Sequence, residues 1–292
     1  MWSWLKKGVR FTLHVSRFTV FCLLVAGCAT APVREEPALK QATAEELTTL
    51  LRQRESAIQT MKGLFSAKVR GGLIPITTRV EGAVYYRRPN SMRLRGFTPV
   101  GGELFEFVQA EDLYMLRLPT MGRVLTGRQS EMNEMGKMAR PFQLSVWAMA
   151  GVLGTSAIGK DESIKLAEDG DRYRLDVYGV RQDAVQAGPQ LLRRMWFDRR
   201  TLLVVQEDRL NGNGEVDASI RYEDFRPIGE AVLPVNGKAD TRLLRPFKVS
   251  LEDGRGQGSV QVLFHEILPN QELKSGDLGQ VSSSPVSTGS VS

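Results

Sequence analysis

From Ile76 to Arg87 the chain alternates with a period of two. Ile76, Thr78, Val80, Gly82, Val84 and Tyr86 fall on one side, and Arg79, Glu81, Ala83, Tyr85 and Arg87 on the other. Successive side chains of an extended strand point to opposite faces, so such a pattern buries one face and wets the other. Pro89 and Asn90 turn the chain, and Met92, Arg93, Leu94 and Arg95 begin the alternation again. Short strands are predicted at 104–109, 113–118, 164–167, 173–177, 192–197, 203–210, 218–222, 231–239, 247–251 and 259–264. The sequences Glu168-Asp169-Gly170-Asp171 and Asn211-Gly212-Asn213-Gly214 supply hairpin turns. Many short antiparallel strands with tight turns build a curved sheet or barrel.

Two segments depart from this period. Thr43 and Glu46 form a capping box, after which Leu47, Leu50, Leu51, Ile58 and Met61 recur on one helical face and Gly63 ends the helix. From Pro141 to Leu153 a second helix is expected, started by proline, closed by Gly154 and carrying Phe142, Leu144, Val146, Trp147, Met149 and Val152. So apolar a helix must be covered, and the concave face of the sheet is the place for it. There it either plugs a dry core or covers a cavity for an apolar ligand.

The ends of the chain carry other information. Lys6, Lys7, Arg10 and Arg17 precede an apolar run from Phe18 to Val25, which is too short to cross a bilayer and has the order of a secretory signal. Leu24-Val25-Ala26-Gly27-Cys28 resembles the lipobox of bacterial lipoproteins. That resemblance implies cleavage before Cys28, diacylglycerol on its thiol, and an acyl group such as palmitate on the new amino terminus. Several acyl chains together anchor firmly where one would be marginal. Ala29, rather than Asp, follows the cysteine, which points to the outer membrane with the folded part facing the periplasm. Residues 1–27 are then signal peptide, 28–41 a Pro-containing tether, 42–270 one domain, and 271–292 a disordered tail rich in Ser, Gly and Val.

Removing the signal's four basic residues leaves 35 of the 39 basic residues against 33 acidic ones, a formal charge of +2, so the basic character of the whole chain is no argument for nucleic acid. His265 is the only histidine beyond Cys28, and Cys28 the only cysteine of the mature chain. Cysteine–histidine catalysis and metal sites therefore have no ligand set, and no serine lies in a nucleophile elbow. The expectation is a protein that is not an enzyme, with no cofactor and no metal.

The order of features resembles the outer-membrane lipoprotein receptors and, more widely, the LolA/LolB superfamily of lipoprotein carriers. The resemblance is carried by the capped helix, by Gly63-Leu64-Phe65-Ser66-Ala67, and by Met92-Arg93-Leu94-Arg95 before Thr98-Pro99-Val100-Gly101-Gly102-Glu103-Leu104. Pro141-Phe142-Gln143-Leu144 with Trp147 and Gly151, Arg221-Tyr222-Glu223-Asp224-Phe225, and Val232-Leu233-Pro234 extend it. It implies a mainly β (α+β) fold, an incomplete antiparallel barrel, or half-barrel, with an N-terminal helix and a helical lid. It also implies a loop, Pro99, Val100 and Gly101, whose apolar tip enters the membrane. Val100 is shorter than the family's usual leucine, a difference of about 0.8 kcal/mol if buried. An acyl cavity would be lined by Val84, Tyr86, Leu94, Phe142, Leu144, Trp147 and Met149.

On this reading the chain is a monomer that takes lipoprotein acyl chains, supplied by a periplasmic carrier of the LolA kind, and helps to insert them into the outer membrane. The other reading is a periplasmic lipid- or protein-binding envelope module, sensor-like or structural, on the same scaffold.

Overall fold

A computed structural model describes residues 37–71, 74–128, 136–153, 158–180, 188–235, 238–256 and 258–280. Cys28 and the signal before it, most of the tether, the segment 181–187 and the chain from 281 onward lie outside the described residues.

The alternating segments form one antiparallel sheet. Its strands are β1 (Thr60–Gly71), β2 (Ile74–Arg87), β3 (Ser91–Phe97), β4 (Glu103–Ala110), β5 (Leu113–Leu118) and β6 (Arg123–Arg128). The second half comprises β7 (Ser163–Asp169), β8 (Arg172–Gly179), β9 (Gln190–Asp198), β10 (Val204–Leu210), β11 (Val216–Val235), β12 (Lys238–Asp253) and β13 (Gly258–Pro269). Their order is β6-β5-β4-β3-β2-β1-β13-β12-β11-β10-β9-β8-β7. Every neighbouring pair is a sequence-local hairpin except β1 with β13, which joins two meanders along Met61↔Pro269 to Gly71↔Gly258. β6 and β7 remain as edges, so the barrel is incomplete, as expected.

Helix α1 (Ala44–Ser56) starts at the capping box, with Thr43 Oγ1 accepting from the Glu46 amide at 3.2 Å and Glu46 accepting from the Thr43 amide at 2.7 Å. It is shorter than the sequence pattern suggests. Met61 lies in β1, where Met61, Gly63, Phe65 and Ala67 face inward with a period of two. The apolar residues Ile58 and Met61 suit either period, and pairing with both β2 and β13 decides for strand. Helix α2 (Gly136–Leu153) begins earlier than Pro141, and strand β6 was not anticipated.

The inner face carries two clusters. The larger joins α2 to β1–β5 and β11–β13, and the smaller packs Leu47 and Leu51 of α1 on Tyr173, Leu175, Val177, Met195 and Phe197 of β8 and β9. Just before α1 the chain is already fixed: the buried Tyr173 hydroxyl accepts from the Ala42 amide and donates to the Lys40 carbonyl, both at 3.1 Å.

The outer face is not bare. The expected tail from 271 is docked as far as residue 280. Asn270 caps the α1–β1 link, accepting from the Gln59 amide at 2.8 Å and donating to the Ala57 carbonyl at 2.9 Å. The strap then buries Leu273, pairs Asp277 with Lys62 at 3.1 Å, and lays Gly279 over Val108. Composition missed it because its hold is polar: Arg93 Nη1 donates to the Gly276 carbonyl at 2.8 Å.

Beneath the strap Arg93, Arg95, Glu103, Glu106 and Arg117 form a network across β3, β4 and β5. Burial alone would raise the Glu106 carboxyl, but hydrogen bonds from Arg93 and Arg117 outweigh it and hold the group below its usual 4.5. A depressed carboxyl contributes stability that is full above its unfolded value and is lost as pH falls through the folded value. Glu106→Gln is expected to cost about 1–3 kcal/mol at neutral pH and to flatten the loss of stability below about pH 4.5. Urea unfolding of both proteins across that range checks it, and an unchanged acid slope would remove the network from the account.

Candidate functional site

The topology dictates where α2 lies. The chain leaves one edge strand, β6, and must enter the opposite edge strand, β7, so the connecting helix is carried across the sheet. It packs on β1, β11, β12 and β13, the middle of the sheet, and buries Leu144, Val146, Ala148, Met149, Val152 and Leu153 there. Gly151 allows the approach: a Cβ at this position would stand 2.1 Å from the hydroxyl of Tyr222 on β11. Trp147, half-buried, has the Arg209 guanidinium 5.1 Å over its ring.

Val84, Tyr86 and Leu94 belong to the same cluster as Leu144 and Met149, so the sequence-expected lining residues do come together. They do so as packed core. Trp147 packs against that cluster, and the side chain of Phe142 lies outside the described residues. None of the six whose side chains are described borders the cavity between α1 and α2, which measures about 60 Å³. Sites for drug-sized ligands are about 300–1,000 Å³, so this cavity as it stands is too small for an acyl chain.

Pro99, Val100 and Gly101 form the tip of the β3–β4 hairpin. Val100 is 95% exposed. The tip is rigid for local reasons: the Thr98 amide donates to the Gly102 carbonyl at 2.7 Å, the Gly101 amide to the Thr98 carbonyl at 2.9 Å, and the Gly102 amide to Thr98 Oγ1 at 3.0 Å. Gly101 has φ +94°, which glycine adopts at no cost. The β5–β6 turn, Pro119–Met121, lies at the same end of the sheet, and its Met121 is also exposed. Sequence reasoning passed over Met121.

It also passed over a buried polar group on the cavity wall. Arg54 of α1 and Arg245 of β12 both line the cavity, as do Glu207 and Tyr222. Arg245 is 4% exposed. Burial, and then repulsion from Arg54, pulls its guanidinium down to about 9, and burial pulls Arg54 to about 10, so both remain cationic at neutral pH. Burial, with the Glu207 charge adding to it, pushes the Tyr222 phenol up. An arginine inside the apolar run Leu243-Leu244-Arg245-Pro246-Phe247 was the available signal.

His265 stands half-exposed with Nε2 3.8 Å from Glu81 Oε2. Among the described residues no three His, Cys, Asp or Glu side chains gather as a metal site, and no helix is long and apolar enough to cross a membrane.

No protein-family model matches the chain, and no curated protein matches it. Solved structures do. A domain from Vibrio parahaemolyticus assigned to outer-membrane lipoprotein sorting superposes with a TM-score of 0.51 at 10% identity, over 81% of this chain and 97% of its own. A DUF1329 family protein from Desulfovibrio piger gives 0.52 at 8% identity, over 80% and 96%. A LolA superfamily protein from Nitrosomonas europaea gives 0.49 at 10% identity, over 82% and 99%. At these identities the likeness is one of fold, and the fold is the incomplete barrel with few helices that the sequence led us to expect.

Because the Tyr222 ring fills the space beside Gly151, Gly151→Ala is expected to push α2 off its bed and cost about 1–3 kcal/mol, as overpacking does. Denaturant unfolding measures it. In a double-mutant cycle with Tyr222→Leu, which removes the ring atoms nearest that Cβ, a double variant that loses less than the two single changes summed would assign the loss to this contact.

Proposed function

We propose that this protein is a lipid-anchored lipoprotein of the bacterial outer membrane whose periplasm-facing domain takes up the acyl chains of other lipoproteins beneath α2 and helps insert them into the membrane. The observation that carries the reading is the position of α2. An apolar helix is carried across the concave face by a connection between the two sheet edges, and it can leave without breaking a strand pairing.

Magnitudes favour exchange. Full burial of a Leu, Val or Met side chain is worth about 1.5–3 kcal/mol, so α2's inward residues hold it with something on the order of 10 kcal/mol, an upper figure. An acyl chain of about sixteen carbons, at about 0.8 kcal/mol per methylene, carries a similar amount. Replacing the one by the other is nearly balanced, which suits a protein that must release what it binds. No bond is made or broken in such a transfer, so the protein acts as a carrier and not as an enzyme.

The shared fold with a domain assigned to lipoprotein sorting supports the reading, as do the lipobox-like Cys28 and the rigid loop that presents Val100 to the outside. Partners on this view are the membrane, lipoprotein acyl chains and a soluble periplasmic carrier of the LolA kind. The packing of α2's inward residues in one core cluster favours a second reading, an envelope module that binds a lipid or a protein without passing lipoproteins on.

The test uses the lipid-anchored full chain in liposomes, offered an acylated lipoprotein on a loaded periplasmic carrier. Uptake and insertion by the wild type are expected, with insertion reduced at least about ten-fold in Val100→Glu while uptake persists. Met121→Glu should give a smaller loss of the same kind. Absence of uptake by folded protein would sink the carrier reading and leave the binding module. A second arm tests the anchor: Cys28→Ser should move the protein from membranes to the soluble periplasmic fraction, and membrane retention would overturn lipidation at that residue.

A further inference from the structure

The cavity between α1 and α2 has a charge inventory that lipoprotein handling does not use. Arg245 donates from Nη1 to the carbonyl of its neighbour Leu244 at 3.2 Å and from Nη2 to the Arg54 carbonyl, in the last turn of α1. Arg54 donates from Nη1 to the Leu202 carbonyl at 2.6 Å. A guanidinium has five N–H donors, and Arg245 Nε, fully buried, has no partner. Among the described residues neither arginine has a carboxylate within ion-pair distance. The acid on the same wall, Glu207, is engaged with Arg209 at 3.1 Å and accepts from the Tyr222 hydroxyl at 3.4 Å.

Two cations side by side repel, and burying them without counter-charge is costly. The end of α1 offsets part of this, because its terminal carbonyls carry partial negative charge. That role accounts for one N–H of Arg245 and leaves the cavity in front of the pair unexplained. Its volume of about 60 Å³ has room for a few water-sized groups, the size of a carboxylate or phosphate. Apart from Glu207 and Tyr222 the rest of the wall is apolar, with Leu51 and Phe225 among it.

We infer that this cavity is an oxyanion site, in which Arg54 and Arg245 receive a carboxylate or phosphate group through forked, charge-assisted hydrogen bonds. The fork geometry of guanidinium matches either group. The inference is independent of lipoprotein transfer, since none of the expected acyl-lining residues whose side chains are described borders this cavity. Two sources share this chemistry, the head of an acidic amphiphile and a free anion.

Calorimetric titration of the purified protein, with thermal unfolding alongside, separates them, using laurate, dodecanol and inorganic phosphate as probes at constant ionic strength. Charge-assisted hydrogen bonds predict laurate binding about ten- to a hundred-fold tighter than dodecanol, which has the same chain without the charge. Phosphate binding as tightly as laurate would assign the site to a free anion, and much weaker phosphate to an acidic amphiphile. Both results support the site. Arg245→Met and, separately, Arg54→Gln should abolish the preference. If either variant fails to fold, the wild-type comparison still decides. Equal binding of laurate and dodecanol with no response to phosphate, or a preference that survives in folded Arg245→Met, would overturn the inference.

Discussion

The pairing of β1 with β13 is the constraint on which the rest of this structure depends. Every other strand pairs with a neighbour in sequence, and such hairpins alone would give two separate meanders, β1–β6 and β7–β13. Joining them through their terminal strands puts β6 and β7 at the far edges, and from that follows the path of α2 across the inner face. The pairing is secured on both sides. Phe65 of β1 and Phe264 of β13 meet with ring centroids 5.9 Å apart inside, while outside the strap after Asn270 ties the end of β13 back to the start of β1.

That arrangement separates two kinds of interior. Under α2 the packing is apolar and dense, and such contacts are exchangeable for those of another apolar body of similar size, because the hydrophobic effect is non-directional. Between α1 and α2 the interior is polar and directional: Arg54, Arg245, Glu207 and Tyr222 meet around a small cavity. On the outer face the Glu106 network and the strap cover strands that would otherwise be wet on that side. The half of the sheet from β1 to β5 is thus covered on both faces near Val108, which is stiffer support for the Val100 hairpin than a single-layer sheet would give.

Much of the fold was legible because it is local. Val80, Val84 and Tyr86 face inward as their alternation requires, the capping box at Thr43 and Glu46 starts α1, and the hairpin turns stand where glycine and asparagine put them. The Val100 tip was legible for the same reason, since Thr98 and Gly102 close it within five residues. What misled was also local: Ile58 and Met61 continue a helical spacing, and only pairing with strands far along the chain turns Met61 into β1. Of the seven expected lining residues, the six whose side chains are described lie in or against one core cluster, but periodicity reports that a side chain is buried and not whether the space beside it is empty.

By itself, then, the sequence determined most of the elements, their alternation and the exposed hairpin tip, because each depends on residues a few positions apart. Tertiary structure alone decided three further features. The inward residues of α2 join the core cluster, the chain after Asn270 is a strap, and Arg245 donates to the carbonyl of Arg54, 191 residues away in sequence. Each of these rests on contacts between segments whose local patterns are indifferent to one another. Their free energy exists only once β1 and β13 have brought the two halves of the sheet together.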